Sequence, residues 1–175
     1  NMNANEVIAT LASRVAKPGA PAVHPNDHVN LGQSSNDVVP TAIRVSAQLA
    51  TQEQLLPALK HLRKVIDKRA RQLDKVVKTG RTHLMDAMPL TFGQEFGAWS
   101  AQLSSAQERL QDSLKRLRRL PLGGTAIGTG INADPRFGGK VAKALSALTG
   151  SKFDSADNKF EGLAAQDDAV ELSGQ

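Results

Sequence analysis

The chain has 175 residues, a formal net charge of +5, 40% apolar residues and no cysteine. This length allows a domain with a sizeable core, and the lack of cysteine excludes disulfides and thiolate metal sites. No apolar run approaches the roughly 18 residues of a membrane helix. The positive charge suits anionic ligands, but aromatic residues, at 3%, are too few for the stacking platforms of single-strand nucleic-acid binders.

Apolar periodicity predicts a first helix over residues 5–15, which ends before Pro18. A polar loop follows over residues 18–33. Ser34 or Ser35 is then a suitable N-cap for a second helix. Asp37 falls in its first turn, where the helix dipole favours a negative charge.

Two long helices are predicted next, because apolar residues recur at alternating spacings of three and four. The first covers residues 55–77, and Gly80 is placed to end it. Thr91 and Gln94 form a capping box for the second, which continues to residue 117 and stops before Pro121. Residues 80–90 are interpreted as a short rigid turn, so the two helices are expected to lie antiparallel in a bundle.

Glycine is frequent over residues 123–130. This segment follows a helix and lacks the Gly-Lys-Ser/Thr ending of a nucleotide loop, so we interpret it as a tight connection. Asp134 and Pro135 are predicted to open another helix, which ends at Gly150. A further helix is expected over residues 158–172. With no strand predicted, the expected fold class is all-α, a bundle of long helices.

Ser34, Ser35 and Asn36 offer hydroxyl, amide and backbone donors at a helix N-terminus, which could bind a carboxylate. Helix capping alone also accounts for them, and from this stretch alone it is the better explanation.

His83, beside Thr82, could act as a general acid or base, since imidazole titrates near neutral pH. A structural turn histidine remains an equal alternative at this point. Thr82 could bind substrate or satisfy the end of the preceding helix.

His24, Asp27 and His28 lie within five residues, but Pro25 and Asn26 disfavour the helix that would bring both imidazoles to one metal ion. We therefore expect no metal site. The basic residues of the long helices lie mostly off the apolar stripe and indicate a solvated face. A basic helical module that binds nucleic acid or protein remains a remote alternative.

Ordered motifs along nearly the whole chain resemble the class II fumarases, within the fumarase/aspartase superfamily. The motifs are Asn1-Met2-Asn3-Ala4-Asn5-Glu6, His24-Pro25-Asn26-Asp27, Gln33-Ser34-Ser35-Asn36-Asp37, residues 80–89, Gly93-Gln94-Glu95-Phe96, residues 123–130 and Asn158-Lys159-Phe160-Glu161.

The resemblance implies an enzyme that reversibly hydrates fumarate to L-malate in the citric acid cycle, without metal or organic cofactor. It also implies a homotetramer with a helical core, in which three subunits contribute to each active site. By this resemblance Ser34, Ser35, Asn36 and Thr82 bind substrate, His83 is the catalytic histidine, and a second dicarboxylate site contains the residues His24, Asn26 and Asp27.

His83 separates this pattern from aspartases, which usually carry glutamine there. Ser34-Ser35-Asn36-Asp37 separates it from argininosuccinate lyases, whose serine segment contains arginine. Aspartase or another fumarate-releasing lyase remains the alternative.

The resemblance divides the chain at residue 33. Residues 1–33 would be the end of an N-terminal-domain helix with its connecting loop, and residues 34–175 part of the central helical domain. Family segments are expected before Asn1 and after Gln175, including the loop with the catalytic serine. We therefore expect a fragment that is inactive alone. The expected compartment is the cytoplasm, with the mitochondrial matrix as the alternative.

Overall fold

The structure is a computed structural model that describes residues 1–175. It is largely helical, with two small sheets. The helices are α1 (Met2–Val15), α2 (Ser35–Ala50), α3 (Leu56–Gln72), α4 (Phe92–Leu117), α5 (Phe137–Thr149), α6 (Lys159–Ala164) and α7 (Asp167–Ser173). The strands are β1 (Val77–Thr82), β2 (Met85–Thr91), β3 (Arg119–Leu120) and β4 (Asp154–Ser155). π-Helical turns occupy Pro25–Val29 and Thr51–Leu55. None of the helices is both long and apolar enough to cross a membrane.

The chain forms two compact units. The first contains residues 1–48 and 115–174, and the second contains residues 49–114. The predicted helical fold class is confirmed. The first and second predicted helices are confirmed as α1 and α2.

A small apolar core holds the first unit together. Leu120, Ala142 and Phe153 are buried in contact with one another, and Val45 and Leu145 pack against them. Beside this core, β3 and β4 pair in parallel through Arg119 with Asp154 and Leu120 with Ser155. Helix α5 ends where predicted, at Gly150, whose φ of 70° is in the left-handed region that glycine adopts without steric cost.

Helices α3 and α4 of the second unit lie antiparallel, as predicted, and polar contacts between them follow one another in reverse chain order. The Ser100 hydroxyl donates to Asp67 Oδ1 at 2.5 Å, and Arg63 Nη1 donates to Ser104 Oγ at 3.0 Å. At one end, the Gly93 N–H donates to the Leu73 carbonyl at 3.2 Å. Hydrogen bonds of this kind fix the register of the two helices, because sliding one helix along the other would lengthen and break them.

The segment between these helices was predicted wrongly. Helix α3 ends at Gln72, well before Gly80, and residues 77–91 form an antiparallel β-hairpin instead of a helix end and a short turn. Val77 pairs with Thr91, Lys78 with Leu90, and Thr82 with Met85.

Two physical reasons explain this error. Val76 and Val77 continue the helical spacing, but β-branched side chains fit a strand equally well, and the strand partner decides between the two. The usual hairpin signal, Asn-Gly or Asp-Gly at the turn, is missing, because His83 and Leu84 occupy that turn. The capping box after the hairpin is confirmed: Gln94 N–H donates to Thr91 Oγ1 at 3.1 Å, and Thr91 N–H to Gln94 Oε1 at 2.9 Å.

Gly80 is needed for an irregularity in the hairpin. Thr79 pairs with Pro89 but Arg81 pairs with Asp86, so one residue of β1 faces two residues of β2, which is the geometry of a β-bulge. A Cβ on Gly80 would lie 2.5 Å from the carbonyl oxygen of Met88. Glycine is therefore required here by close approach of the two strands.

Two further predictions need correction near the C-terminus. Helix α5 begins at Phe137, because Asp134 forms a turn of its own: its carboxylate accepts from the Arg136 N–H at 2.8 Å. The single helix expected over residues 158–172 is two short ones, since Ala165 and Gln166 leave the helical conformation. Asn158 caps the first of them by accepting from the Glu161 N–H at 3.2 Å.

We expect Gly80→Ala to lower the free energy of unfolding by about 1–3 kcal/mol, the usual cost of forcing an extra carbon into packed structure. Gly97→Ala is the matched control: Gly97 lies inside α4, and a Cβ there meets nothing within 4 Å. Alanine should stabilise that helix by up to about 1 kcal/mol. Urea unfolding followed by circular dichroism measures both, and equal effects of the two substitutions would contradict the bulge argument.

Candidate active site

The N-terminus of α2 carries the serine segment proposed to bind an anion. Ser34 is its N-cap: the Ser34 carbonyl accepts from the Val38 N–H at 3.0 Å, and Ser34 Oγ accepts from the Asn36 N–H at 3.2 Å. Ser35 and Asn36 are exposed. The N–H of Ser35 has no intrahelical acceptor, as at the start of any α-helix. Capping and anion binding are thus compatible, because different groups perform them.

Asp37 has a larger role than the sequence indicated. It is completely buried, and its Oδ1 accepts from the Ser34 N–H at 2.9 Å, which completes a capping box. Its Oδ2 accepts from the N–H groups of Gly123 at 3.0 Å and Thr125 at 2.8 Å. Pattern reasoning assigned Asp37 to the helix dipole and had no signal for a partner more than 80 residues away.

The Gly-rich segment of residues 123–130 therefore packs against the start of α2. The Asn36 side-chain amide donates to the Ala126 carbonyl at 2.7 Å. This uses one N–H of the amide and leaves another donor and the oxygen. The interpretation of this segment as a connection between helices holds, but its first residues also form one wall of the candidate site.

His24, Asn26 and Asp27 lie on an exposed π-helical turn that precedes α2. His24 Nδ1 is 3.2 Å from the Asp27 backbone N and 3.1 Å from Asp27 Oδ2. A neutral Nδ1 accepts from the backbone N–H, whereas a protonated one pairs with the carboxylate, so one protonation state excludes the other contact. The His24 N–H donates to His28 Nδ1 at 2.8 Å, so the His28 side chain helps to stabilise the turn.

Asparagine side chains connect this turn with α1 and with the serine segment. Asn5, buried in α1, donates from Nδ2 to Asn30 Oδ1 at 3.1 Å, and Asn30 Nδ2 donates to the Gln33 carbonyl at 3.3 Å. The Gln33 side-chain amide in turn donates to the Val29 carbonyl at 2.8 Å. The N-terminal Asn-rich motif thus positions both the turn and the residue before Ser34.

Thr82 and His83 lie at the tip of the hairpin in the second unit. His83 and Leu84 form its turn with φ angles of 51° and 61°, so both central residues are left-handed, as in a type I′ turn. Non-glycine residues in this region cost about 1–2 kcal/mol each. Thr82 and His83 are exposed, and the Leu84 side chain is fully so. An imidazole held at such a tip is accessible to a ligand.

One side of the hairpin forms a groove with a volume of about 470 Å³, and Thr82 is among its lining residues. Lys78 Nζ lies 2.7 Å from Glu95 Oε1 and 5.2 Å from the centre of the Phe92 ring. These contacts attach β1 to the first turn of α4. Arg81 and Asp86 pair across the strands at 3.3 Å, but both are largely exposed, so this pair contributes little to stability.

Lys159 lies beside the Gly-rich segment. Its Nζ donates to Ser155 Oγ and to the Ala156 carbonyl, each at 2.8 Å. Partial burial lowers the pKa of Lys159 below its usual value, against the opposing effect of the Asp157 charge. Its stem would lie 3.0 Å from a Cβ on Gly124, so it helps to confine the loop.

The structure thus places the predicted residues on three elements. Ser34, Ser35 and Asn36 share the start of α2, and Thr82 and His83 share the hairpin tip. The third set is His24, which is the N-cap of the π-helical turn, with Asn26 and Asp27 inside that turn. The first and third sets belong to the first unit, and the hairpin belongs to the second. No group of three or more His, Asp or Glu side chains has the arrangement of a metal site.

Hydrogen-bond donors at a helix start and an exposed histidine are suited to acid–base chemistry on an anionic ligand. The sequence matches the lyase family over residues 1–175. The chain belongs to that family.

Within the lyase family, this chain has high sequence identity to class II fumarate hydratases. The chain is 78% identical to the class II fumarate hydratase of Xylella fastidiosa over 175 residues, which are all of this chain and 36% of that protein. It is 52% identical to the class II fumarate hydratase of Thermus thermophilus, covering 99% of this chain and 38% of that one. The chain thus spans about a third of the length of these curated relatives.

Among solved structures, the class II fumarase of Schistosoma mansoni superposes with a TM-score of 0.92 at 39% identity. The match covers 99% of this chain and 40% of that one. The resemblance to class II fumarases is confirmed.

Leu84→Gly should raise the free energy of unfolding by about 0.5–1 kcal/mol, because glycine removes the left-handed strain at a cost in chain entropy. Leu84 is fully exposed and loses no packing. Ile131→Gly is the control: this residue is also exposed in a loop, but its φ is not positive. It should lose stability. Urea unfolding that showed a loss for Leu84→Gly as well would contradict a strained turn.

Proposed function

We propose that this chain forms part of an enzyme that reversibly hydrates fumarate to L-malate. The observation that carries the proposal is a histidine held in a left-handed turn at an exposed hairpin tip, in a chain 78% identical to a class II fumarate hydratase. Such a conformation is kept at a cost, and strained residues concentrate at functional sites.

The serine segment provides the binding half of the reaction. A substrate carboxylate would accept hydrogen bonds from the Ser34 and Ser35 hydroxyls, the free N–H of the Asn36 amide and the backbone at the start of α2. In the dehydration of L-malate, a base of the whole enzyme other than His83 takes a proton from the carbon next to a carboxylate, and negative charge accumulates on the resulting aci-carboxylate. Donors that are already in place stabilise this charge without reorganisation.

His83 provides the acid–base half. Its protonated imidazole gives a proton to the departing hydroxyl, and in the hydration direction the neutral imidazole takes a proton from the attacking water. Thr82 precedes it on the hairpin and lines the groove there, so its hydroxyl is placed to hold the substrate beside the imidazole. The basic net charge of +5 would draw a dianion towards the enzyme.

The whole enzyme is proposed as a cytoplasmic homotetramer without cofactor, with residues 34–175 in its central helical domain and residues 1–33 before it. Exposed apolar side chains on α3 and α4 support an assembly: Leu62, Val65 and Trp99 are each close to half exposed. Contiguous exposed apolar surface is typical of interaction sites. The turn with His24, Asn26 and Asp27 is proposed as a second dicarboxylate site.

A chimera tests the function directly. In it, the matching segment of the Xylella fastidiosa class II fumarate hydratase is replaced by residues 1–175 of this chain. Fumarate absorbance is followed after addition of L-malate, L-aspartate or argininosuccinate in turn. Release from L-malate alone is expected. Fumarate release from L-aspartate or argininosuccinate instead would contradict the proposed hydratase activity and would assign the chain to a related lyase.

In this chimera, His83→Asn should lower kcat with L-malate by about 10²–10⁴, the usual contribution of a general acid or base. His61→Asn is the matched control, since His61 is an exposed histidine on α3 in the same unit and should leave kcat unchanged. Full activity of the His83 variant would remove the proposed acid–base role.

Ser35→Ala should act on binding. We expect KM for L-malate to rise about tenfold or more, because a hydrogen bond to a charged group contributes about 1.5–3 kcal/mol. Ser105→Ala, at an exposed serine on α4, is the control and should leave KM as it was. Steady-state kinetics measure both variants, and an unchanged KM for Ser35→Ala would mean that capping alone explains the segment.

A further inference from the structure

The Asp37 carboxylate contacts both walls of the candidate carboxylate site. Its side chain accepts three backbone hydrogen bonds, one from Ser34 and two from Gly123 and Thr125. A carboxylate without contact to solvent is costly unless such donors surround it. Each oxygen serves a different segment, so the carboxylate joins the N-cap of α2 to the Gly-rich loop.

The loop needs this attachment because its backbone is unusual. Gly123 has a φ of 96° and Thr125 a φ of 57°, and threonine in the left-handed region is disfavoured by its Cβ. The two loop N–H groups that bind Asp37 belong to these two residues. The carboxylate therefore holds the loop in a conformation that the chain would not adopt alone, and Asn36 meets the same loop at Ala126.

We propose that Asp37 is a positioning residue for substrate binding: its buried carboxylate fixes the donors of Ser34, Ser35 and Asn36 in the orientation that receives the dicarboxylate. The inference rests on the proposed function, since it assumes that these donors bind substrate. Asp37 itself does not touch the substrate, because all of its side chain is enclosed.

Charge and geometry predict opposite results for Asp37→Asn. Removing a negative charge near a dianion site would tighten substrate binding if only Coulomb attraction mattered. A positioning role predicts weaker binding, because the NH₂ of asparagine would face a backbone N–H that needs an acceptor. The sign of the change in KM therefore separates the two.

The experiment measures KM and kcat for L-malate, and the inhibition constant of succinate, in the chimera with Asp37→Asn. We expect KM and the inhibition constant to rise about tenfold, and kcat to change less, since His83 is untouched. Asp154→Asn is the matched control: it removes an equal charge from an exposed position of the same unit and should change neither constant.

A fall in KM would overturn the proposal in favour of simple electrostatics. An unchanged KM with a lower melting temperature would also overturn it, because Asp37 would then only stabilise the fold. Ser35→Ala, measured in parallel, distinguishes a failure of this inference from a failure of the proposed substrate-binding site. If Ser35→Ala raises KM and Asp37→Asn does not, only this inference fails. If Ser35→Ala has no effect, the proposed binding site fails.

The unsubstituted chimera provides a second readout that does not require a folded variant. If Asp37 couples the loop to the binding donors, saturating succinate should slow amide hydrogen exchange at Gly123 and Thr125 as well as at residues 34–37. Slower exchange confined to residues 34–37 would show that the loop is independent of binding and would overturn the proposal.

Discussion

The carboxylate of Asp37 is the contact on which the arrangement of the first unit's candidate site depends. It is enclosed by backbone N–H groups from two segments separated by more than 80 residues. An enclosed charge tolerates few alternative geometries, because each lost hydrogen bond leaves it unsatisfied. The start of α2 and the Gly-rich loop are consequently fixed relative to each other, and this fixed position also orients the exposed donors of Ser35 and Asn36.

The hairpin of the second unit is fixed by other means. The bulge at Gly80 shifts the register of the strands, Lys78 and Glu95 attach them to α4, and His83 and Leu84 take left-handed φ angles in the turn. Bulges commonly redirect side chains near functional sites. Two different interactions thus position the proposed groups. A buried carboxylate positions the substrate-binding donors, and a strained backbone turn positions the imidazole.

Local signals in the sequence sufficed where the structure is local. The spacing of apolar residues predicted α1 and much of α3 and α4, and Thr91 with Gln94 predicted a capping box that the structure contains. The hairpin was missed because a strand needs a partner, and its turn lacks Asn-Gly. The role of Asp37 was missed because its loop partners are distant in sequence. The motifs identified the candidate site residues, whereas the contacts that hold them in place depend on the fold.

The polar contacts between α3 and α4 have a thermodynamic consequence. From residue 49 to residue 109 no apolar side chain is fully buried, and the helices meet through Asp67, Ser100, Arg63 and Ser104. Their apolar side chains gain most of their stabilisation only when another surface covers them. In the proposed tetramer, folding of this segment and association would be one equilibrium, so its melting temperature would depend on protein concentration.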